Sequence, residues 1–515
     1  VYFLRGTLKA LRLSSTGLVW AGLLALLVFR FWFAAVLPIT GDEAYFVLWG
    51  EHPAGGYYDH PPMVGWWLAA LLTISRAEWV LRLPAVLLPL ILAAGAWWLV
   101  RPHGVERARV AALLVLLAPV DVWNVLITTD TPVILFTMLS ALAYVAAQRR
   151  ASLRWYALAG ALLGLAFLGK YFAALLGIAY LAHVLFIRRD AGRWVGFAVL
   201  LAASLPAPIY NLWWNSGHCW VNILFNFINR HGNAGLTWQN PLSYVASLIY
   251  LATPWVLIAL WRHRNAVRQA VQGSVEAGTA LWLAVIPCGL FAVMSLTRSV
   301  GLHWPVSFIP FFFVLAAIAL PQDVLRRLVK WSAGFAALHL LVIIVVAMSP
   351  MDTWKKRASY GEIVFAARAD ELLARLQPYA ADYSFAMEGY STAATMAYHA
   401  QRPFAMFGRG SFHGRQDDAL TDWREQDGRN VLILRKSLPN KGYYEAFFRD
   451  VDFREFELSG VRYYLVLGQG FNYAEYHERI LRRIRHRYYR IPDWLPQRSC
   501  EFCERYFPAE KVNER

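Results

Sequence analysis

The chain has 515 residues, of which 58% are hydrophobic and only 16% charged, with 23 tryptophans. Soluble domains rarely reach that apolar fraction, which points to a membrane protein. The formal charge of +16 does not point to nucleic acid, because 24 basic and 11 acidic residues precede position 349 and separate by side of a membrane.

Eleven apolar runs are read as membrane-spanning helices, some of them short: 17–37, 77–100, 109–121, 131–147, 155–169, 171–187, 194–210, 242–261, 279–297, 304–320 and 329–348. The first is long and lacks a small-residue cleavage site, so it is expected to stay as a span rather than act as a cleaved signal peptide. With a cytoplasmic N-terminus, six segments face the cytoplasm and each carries three basic residues. They are Arg5, Lys9 and Arg12; Arg101, Arg107 and Arg109; Arg149, Arg150 and Arg154; Arg188, Arg189 and Arg193; Arg262, Arg264 and Arg268; and Arg326, Arg327 and Lys330. The opposite loops hold Lys170, Arg230 and Arg298, with Arg76 and Arg82 at the mouth of the second span. This is the positive-inside pattern. Acids follow the reverse rule: Asp42, Glu43, Glu51, Asp59, Glu78, Asp121 and Asp130 all fall outside.

The first external loop, 38–76, contains "GDEAYFVLWGEHPAGGYYDHPPMVGWW". It reads as two short helices on the membrane surface, "DEAYFVLWGEH" and "MVGWWLAALLTI", separated by a Gly- and Pro-rich break; their Tyr and Trp suit the headgroup level. Asp42 is either a helix N-cap after Gly41 or a functional carboxylate, and Glu43 either a first-turn acid facing the helix dipole or its companion. "TTDTP" places Asp130 at another helix N-terminus, and "FLGKYFA" places Lys170 in a tight external connection. A lone lysine costs about 2.5–3.5 kcal/mol in hydrocarbon, so Lys170 either snorkels to water or meets an anion such as a lipid-linked phosphate. Arg298, in "TRSVGLHWP", is a second candidate for that role and Arg30, inside the first span, a weaker third.

Polar residues at 211, 215, 218, 222, 226 and 229 mark one stripe of a helix, either solvated at the interface or facing a cavity that binds a sugar or acceptor. After Met348 the composition turns polar. "SFAMEG", "NVLILR" and "RYYLVLGQGF" read as strands, and "EIVFAARADELLARL" as helix, so 349–515 is expected to be an external α/β domain. Cys500 and Cys503 form a C-x-x-C, either a disulfide or two thiols, while Cys219 and Cys288 stand apart and no zinc spacing is present.

No phosphate-cradling glycine loop occurs, and an external synthetic enzyme has no ATP or nucleotide sugar to draw on, so a donor arriving through the membrane is required. The order "GDEAYFVLWGEHPAGGYYDHPP", "TTDTPVILF", "LGKYFAALLG", "LPAPIYNLWWNSGHCWVN" and "HWPVSFIPFFF" resembles the GT-C glycosyltransferases, in the branch of protein O-mannosyltransferases and bacterial lipid A aminoarabinose transferases. The likeness covers the membrane part and implies an α-helical polytopic membrane protein of the GT-C type, with about eleven transmembrane helices over 1–348 and the external α/β domain over 349–515. It implies a polyprenyl-phosphate sugar as donor, a lipid A, glycan or protein acceptor, inversion at the anomeric carbon, and residence in a bacterial inner membrane with the C-terminal domain periplasmic. Asp42 matches the family's catalytic position, with Glu43 and Asp130 orienting the acceptor or balancing charge. Lys170 and Arg298 would hold the donor phosphate, and Tyr58, Asp59, His60, His218 and His303 would shape the pocket. No required metal or cofactor is expected, although three acids in one cavity could hold a divalent cation. The sugar is open among aminoarabinose, galacturonic acid, a hexosamine and mannose. The rival reading is a flippase or transporter for lipid-linked sugars, which would want polar groups along a path through the spans.

Overall fold

The computed structural model describes residues 15–186, 192–231 and 235–508, so the basic residues Arg5, Lys9, Arg12, Arg188 and Arg189 lie outside the described residues. Among the described residues, five helices are long and apolar enough to cross a membrane: Glu78–His103, Asp130–Arg150, Arg193–Ser216, Val275–Ser295 and Gln322–Met348. The number rises to seven if each of two bent pairs is a single span. Expected spans at 155–169, 171–187 and 304–320 are the shorter helices Leu153–Phe167, Tyr171–Phe186 and Val306–Ala319. The run 242–261 is broken into Gln239–Ala252 and Pro254–Arg262, which meet at 87°. The break has a local cause: Thr253 sits at φ 63, and Pro254 lacks the N–H that would continue the preceding helix.

The other bend produces the first loop. Gly22–Val36 turns by 82° into Gly41–Glu51. Thr40 caps the new helix through a reciprocal capping box with Glu43, so the N-cap is Thr40 rather than Asp42. Arg30, the weaker phosphate candidate, neither snorkels nor reaches the outer surface. Its guanidinium donates to the carbonyls of Ala85, Val86, Asp121 and Asn124, tying the first span to its neighbours.

Beyond Met348 a five-stranded sheet forms, comprising β1 (Ser384–Met387), β2 (Phe404–Met406), β3 (Val431–Arg435), β4 (Phe448–Leu458) and β5 (Val461–Phe471). Its order is β2-β1-β3-β5-β4, with β1 parallel to β2 and β3 and the β4–β5 hairpin antiparallel. The sequence pattern identifies β1, β3 and β5. β2 has only three residues, and β4 is an edge strand whose alternating charges hide its period while discouraging edge-to-edge pairing. The helical stretch 362–376 is two helices, Tyr360–Ala367 and Ala369–Leu376.

Both faces of the sheet are covered. Phe385, Met387, Leu432 and Leu434 pack under the helices of 360–376, whereas Ala386, Val431, Ile433 and Val466 face a second core. That second core also contains Tyr58, Trp214, Val221 and Phe225 from the membrane part, so the two halves share buried apolar surface. A disulfide joins Cys219 to Cys500 across 281 residues, so the partner of Cys500 is Cys219 and not Cys503. Much of the polar stripe of 211–229 is spent on the protein itself, while His218 stays exposed. Asn222 and Asn226 donate to the carbonyls of Tyr57 and Asp59, and Asn229 to that of Tyr488, fastening the first loop and the tail to one element.

Candidate active site

A cavity of about 420 Å³ lies between the first loop, the adjoining ends of the apolar helices and the C-terminal domain. Asp42 reaches it from the first turn of Gly41–Glu51, where helix geometry separates neighbouring residues by about 100°. Asp42 therefore faces the cavity, and Glu43 turns inward. The Glu43 carboxylate accepts from Arg82 Nε at 2.8 Å and Nη2 at 2.7 Å, from the Thr40 N–H and hydroxyl at 3.1 Å each, and from the Ile127 N–H at 3.2 Å. Arg82 spends its remaining donors mainly on the carbonyls of Ala34, Leu37 and Pro38. Glu43 is thus a structural ion-pair member outside the cavity and not a second cavity acid.

The facing wall carries Asp130 and Lys170. Asp130 opens the helix Asp130–Arg150, and Lys170 extends from the connection before Tyr171–Ala173. The ammonium meets both Asp130 oxygens at 3.0 Å, so the lysine is neither alone in hydrocarbon nor snorkelling. His303 Nε2 stands 3.8 Å from the same carboxylate, too far for a hydrogen bond. Partial desolvation and the charges of Lys170 and Arg230 draw His303 below its ordinary range, against the pull of Asp130, although its side chain keeps an exposed face. Arg230 also lines this wall, its guanidinium 5.0 Å over the Trp304 ring. Arg298 does not line the cavity. It lies behind Arg230, close enough for its charge to add to burial in lowering that group.

The floor of the first loop supplies Asp59 and His60. Asp59 is buried, accepting from Tyr45 Oη at 2.8 Å and from the Gly414 N–H at 3.2 Å. Burial pushes its carboxyl up to about 7, against those two hydrogen bonds. His60 is held neutral by burial and by the nearby charges of Lys170 and Arg230. Tyr58 and His218, expected in the same pocket, instead line a separate cavity of about 230 Å³. His218 stacks on Trp214 there, with ring centroids 4.2 Å apart.

The remaining wall comes from the C-terminal domain, through Tyr390, His413 and Gly414. Tyr390 begins the helix Tyr390–Ala400 and donates from Oη to Asp42 Oδ1 at 2.9 Å. Close approach requires Gly41, where a Cβ would sit 2.6 Å from Ser391 Cβ. Sequence reasoning passed over Tyr390 and His413, because neither "GYSTAATMAYH" nor "GSFHGR" carries a spacing that marks a site. Arg230 had a visible signal as one of few external basic residues.

Asp42, Asp59, His60, Asp130, Lys170 and His303 are therefore brought together, with the accessible Asp42 facing Arg230 and the Lys170–Asp130 pair. Such a surface suits an anionic leaving group on one side and a proton acceptor on the other. Residues 59–214 match the family model described as dolichyl-phosphate-mannose-protein mannosyltransferase. The chain is 28% identical over 309 residues to the lipid A galacturonosyltransferase RgtD of Rhizobium johnstonii, a match covering 56% of this chain and 63% of RgtD. The chain thus spans about three-fifths of that relative's length. The fold is similar to that of ArnT from Cupriavidus metallidurans, at 19% identity over 88% of this chain and 98% of ArnT, with a TM-score of 0.60 for the apo state. The TM-score is 0.62 for ArnT bound to undecaprenyl phosphate, with the same identity and coverage. The resemblance drawn from five motifs along the membrane part is therefore met again, in sequence over 59–214 and in fold over 88% of the chain.

Proposed function

We propose that the chain is an inverting membrane glycosyltransferase that moves a sugar from a polyprenyl-phosphate donor to a glycolipid acceptor such as lipid A. The observation that carries this reading is the cavity itself, where Asp42 faces the Lys170, Arg230 and His303 wall at the outer ends of apolar helices. The fold shared with an undecaprenyl-phosphate-bound transferase supports a donor whose lipid stays in the membrane. RgtD's name makes galacturonic acid the first sugar to test and lipid A the first acceptor.

The acceptor oxygen attacks the anomeric carbon as the bond from that carbon to the phosphate oxygen breaks, and the bonding pair leaves on the phosphate. Lys170 and Arg230 stabilise the charge that collects there. For a hydroxyl acceptor, the proton passes to Asp42 in the transition state; Tyr390 Oη, bonded to one Asp42 oxygen, leaves the other for that proton. For a phosphate acceptor, already anionic, Asp42 positions rather than deprotonates. No metal is assigned to the step: the three acids that would share one have separated, Glu43 to Arg82 and Asp130 to Lys170. The placement is a bacterial inner membrane with the N-terminus cytoplasmic and the C-terminal domain periplasmic, as the basic-residue asymmetry supports.

The test is mass spectrometry of total glycolipids from cells with and without the protein, with Asp42→Asn alongside. A sugar-sized mass present only with the wild type is expected, and general-base loss should lower transfer by about 10²–10⁴-fold. Full transfer by the folded Asp42→Asn protein overturns the hydroxyl-acceptor mechanism. No sugar-sized difference overturns the glycolipid acceptor, and reconstitution of the purified protein then separates a flippase from a transferase acting on another acceptor.

A further inference from the structure

A second cavity, of about 570 Å³, lies in the C-terminal domain beside the catalytic one, and Tyr390 lines both. It opens where the parallel strands β1 and β2 end, at Glu388–Tyr390 and Phe407–Ser411. The carboxyl ends of parallel strands are the usual place for a ligand crevice in an open α/β sheet. The turn after β2 exposes backbone, because Gly408 at φ 88 and Gly410 at φ 55 adopt conformations that side chains disfavour.

The cavity's charge is lopsided. Arg409, Arg483 and Arg487 line it, the last two four residues apart on one helical stretch. Among the described residues none of the three has a carboxylate at ion-pair distance. The single acid on the lining, Glu388, is already engaged by Arg435 at 3.2 Å and by the Tyr444 hydroxyl. Exposed arginines are often merely solvated. Three lining one concavity, with the local acid neutralised from behind, form a forked-donor surface suited to phosphate or carboxylate. The groove also reaches the residue that hydrogen-bonds Asp42.

We propose that this arginine-lined groove binds the anionic head group of the acceptor glycolipid and delivers its acceptor atom past Tyr390 to Asp42. The proposal rests on the glycosyltransferase reading above. It assigns acceptor recognition to the C-terminal domain and donor recognition to the membrane part.

Full-length protein in detergent is titrated with bisphosphorylated lipid A, with the same lipid after removal of its phosphates, and with inorganic phosphate. The double variant Arg483→Gln/Arg487→Gln is expected to bind bisphosphorylated lipid A at least tenfold more weakly than the wild type. It should keep its thermal midpoint and its affinity for undecaprenyl phosphate. Arg409→Gln is expected to show a smaller loss of the same kind, and Asp42→Asn to bind lipid A as the wild type does. Equal affinity of wild type and double variant overturns the proposal, and so does equal binding of the dephosphorylated lipid. Displacement of lipid A by micromolar inorganic phosphate overturns the acceptor assignment in favour of a small free anion. Arginine-dependent binding in a protein that never transfers sugar sinks the function and leaves the groove standing. Transfer with an unchanged KM for lipid A in the double variant does the reverse.

Discussion

Two acid–base pairs lie beside the first loop of this molecule, and they are built for different ends. At Glu43 and Arg82 every oxygen and nearly every N–H is answered, by the partner, by the Thr40 cap and by backbone carbonyls. At Asp130 and Lys170 the pair is equally tight, but it lines an open cavity beside Arg230 and His303. The first pair holds a 82° bend of the chain in place; the second presents charge to whatever enters. Burial of an ion pair is weak evidence for either role. What separates them is whether the pair faces a space that a ligand can fill.

Substitutions test that contrast. The largest structural loss is expected from Glu43→Gln, which leaves Arg82 charged and unpaired in the interior; removing one partner of a buried pair costs about 3–5 kcal/mol. Thermal unfolding of the purified protein reads it, and an unchanged midpoint would break the comparison. Lys170→Gln should reverse the balance. Because Asp130 borders the cavity, water can solvate it, so the midpoint should move less than in Glu43→Gln. Transfer, by contrast, should fall by about 10²-fold if the ammonium stabilises the leaving phosphate. Equal damage to stability by both variants would place Lys170 with the structural pair.

Asp59 gives the smallest effect and the sharpest sign. Its carboxyl titrates at about 7 in the folded protein against 3.8 ordinarily, because burial disfavours the charged form. The folded state thus holds the proton more tightly than the unfolded chain. Wild-type stability is accordingly lost as pH rises between those two values, and is level above them. Asp59→Asn cannot titrate, so its midpoint should gain on the wild type by roughly 2–4 °C between pH 5 and pH 8. A difference that is constant with pH would show that Asp59 does not titrate near 7 in the folded protein.

The tail offers a related contrast with the membrane part. Apolar runs announce helices strongly, whereas β4 hides behind its alternating charges and β2 behind its brevity. Span length is also a tertiary matter: the run at 242–261 looks continuous until Thr253 and Pro254 break it.

From the sequence alone come the apolar, many-helix class, the charge asymmetry between alternate loops, the GT-C likeness, and Asp42, Asp130 and Lys170 as a set worth watching. These are legible because hydrophobic runs, charge asymmetry and helix starts are local signals. Tertiary structure alone decided that Asp42 and Glu43 part company, since that turns on Arg82, 39 residues from Glu43. It alone paired Cys219 with Cys500 across 281 residues, and brought Tyr390 to Asp42 from 348 residues away. The physical reason is the same in each case. A side chain's type is written in its codon, but its role depends on which distant groups satisfy its hydrogen bonds and charge, and those are chosen by packing.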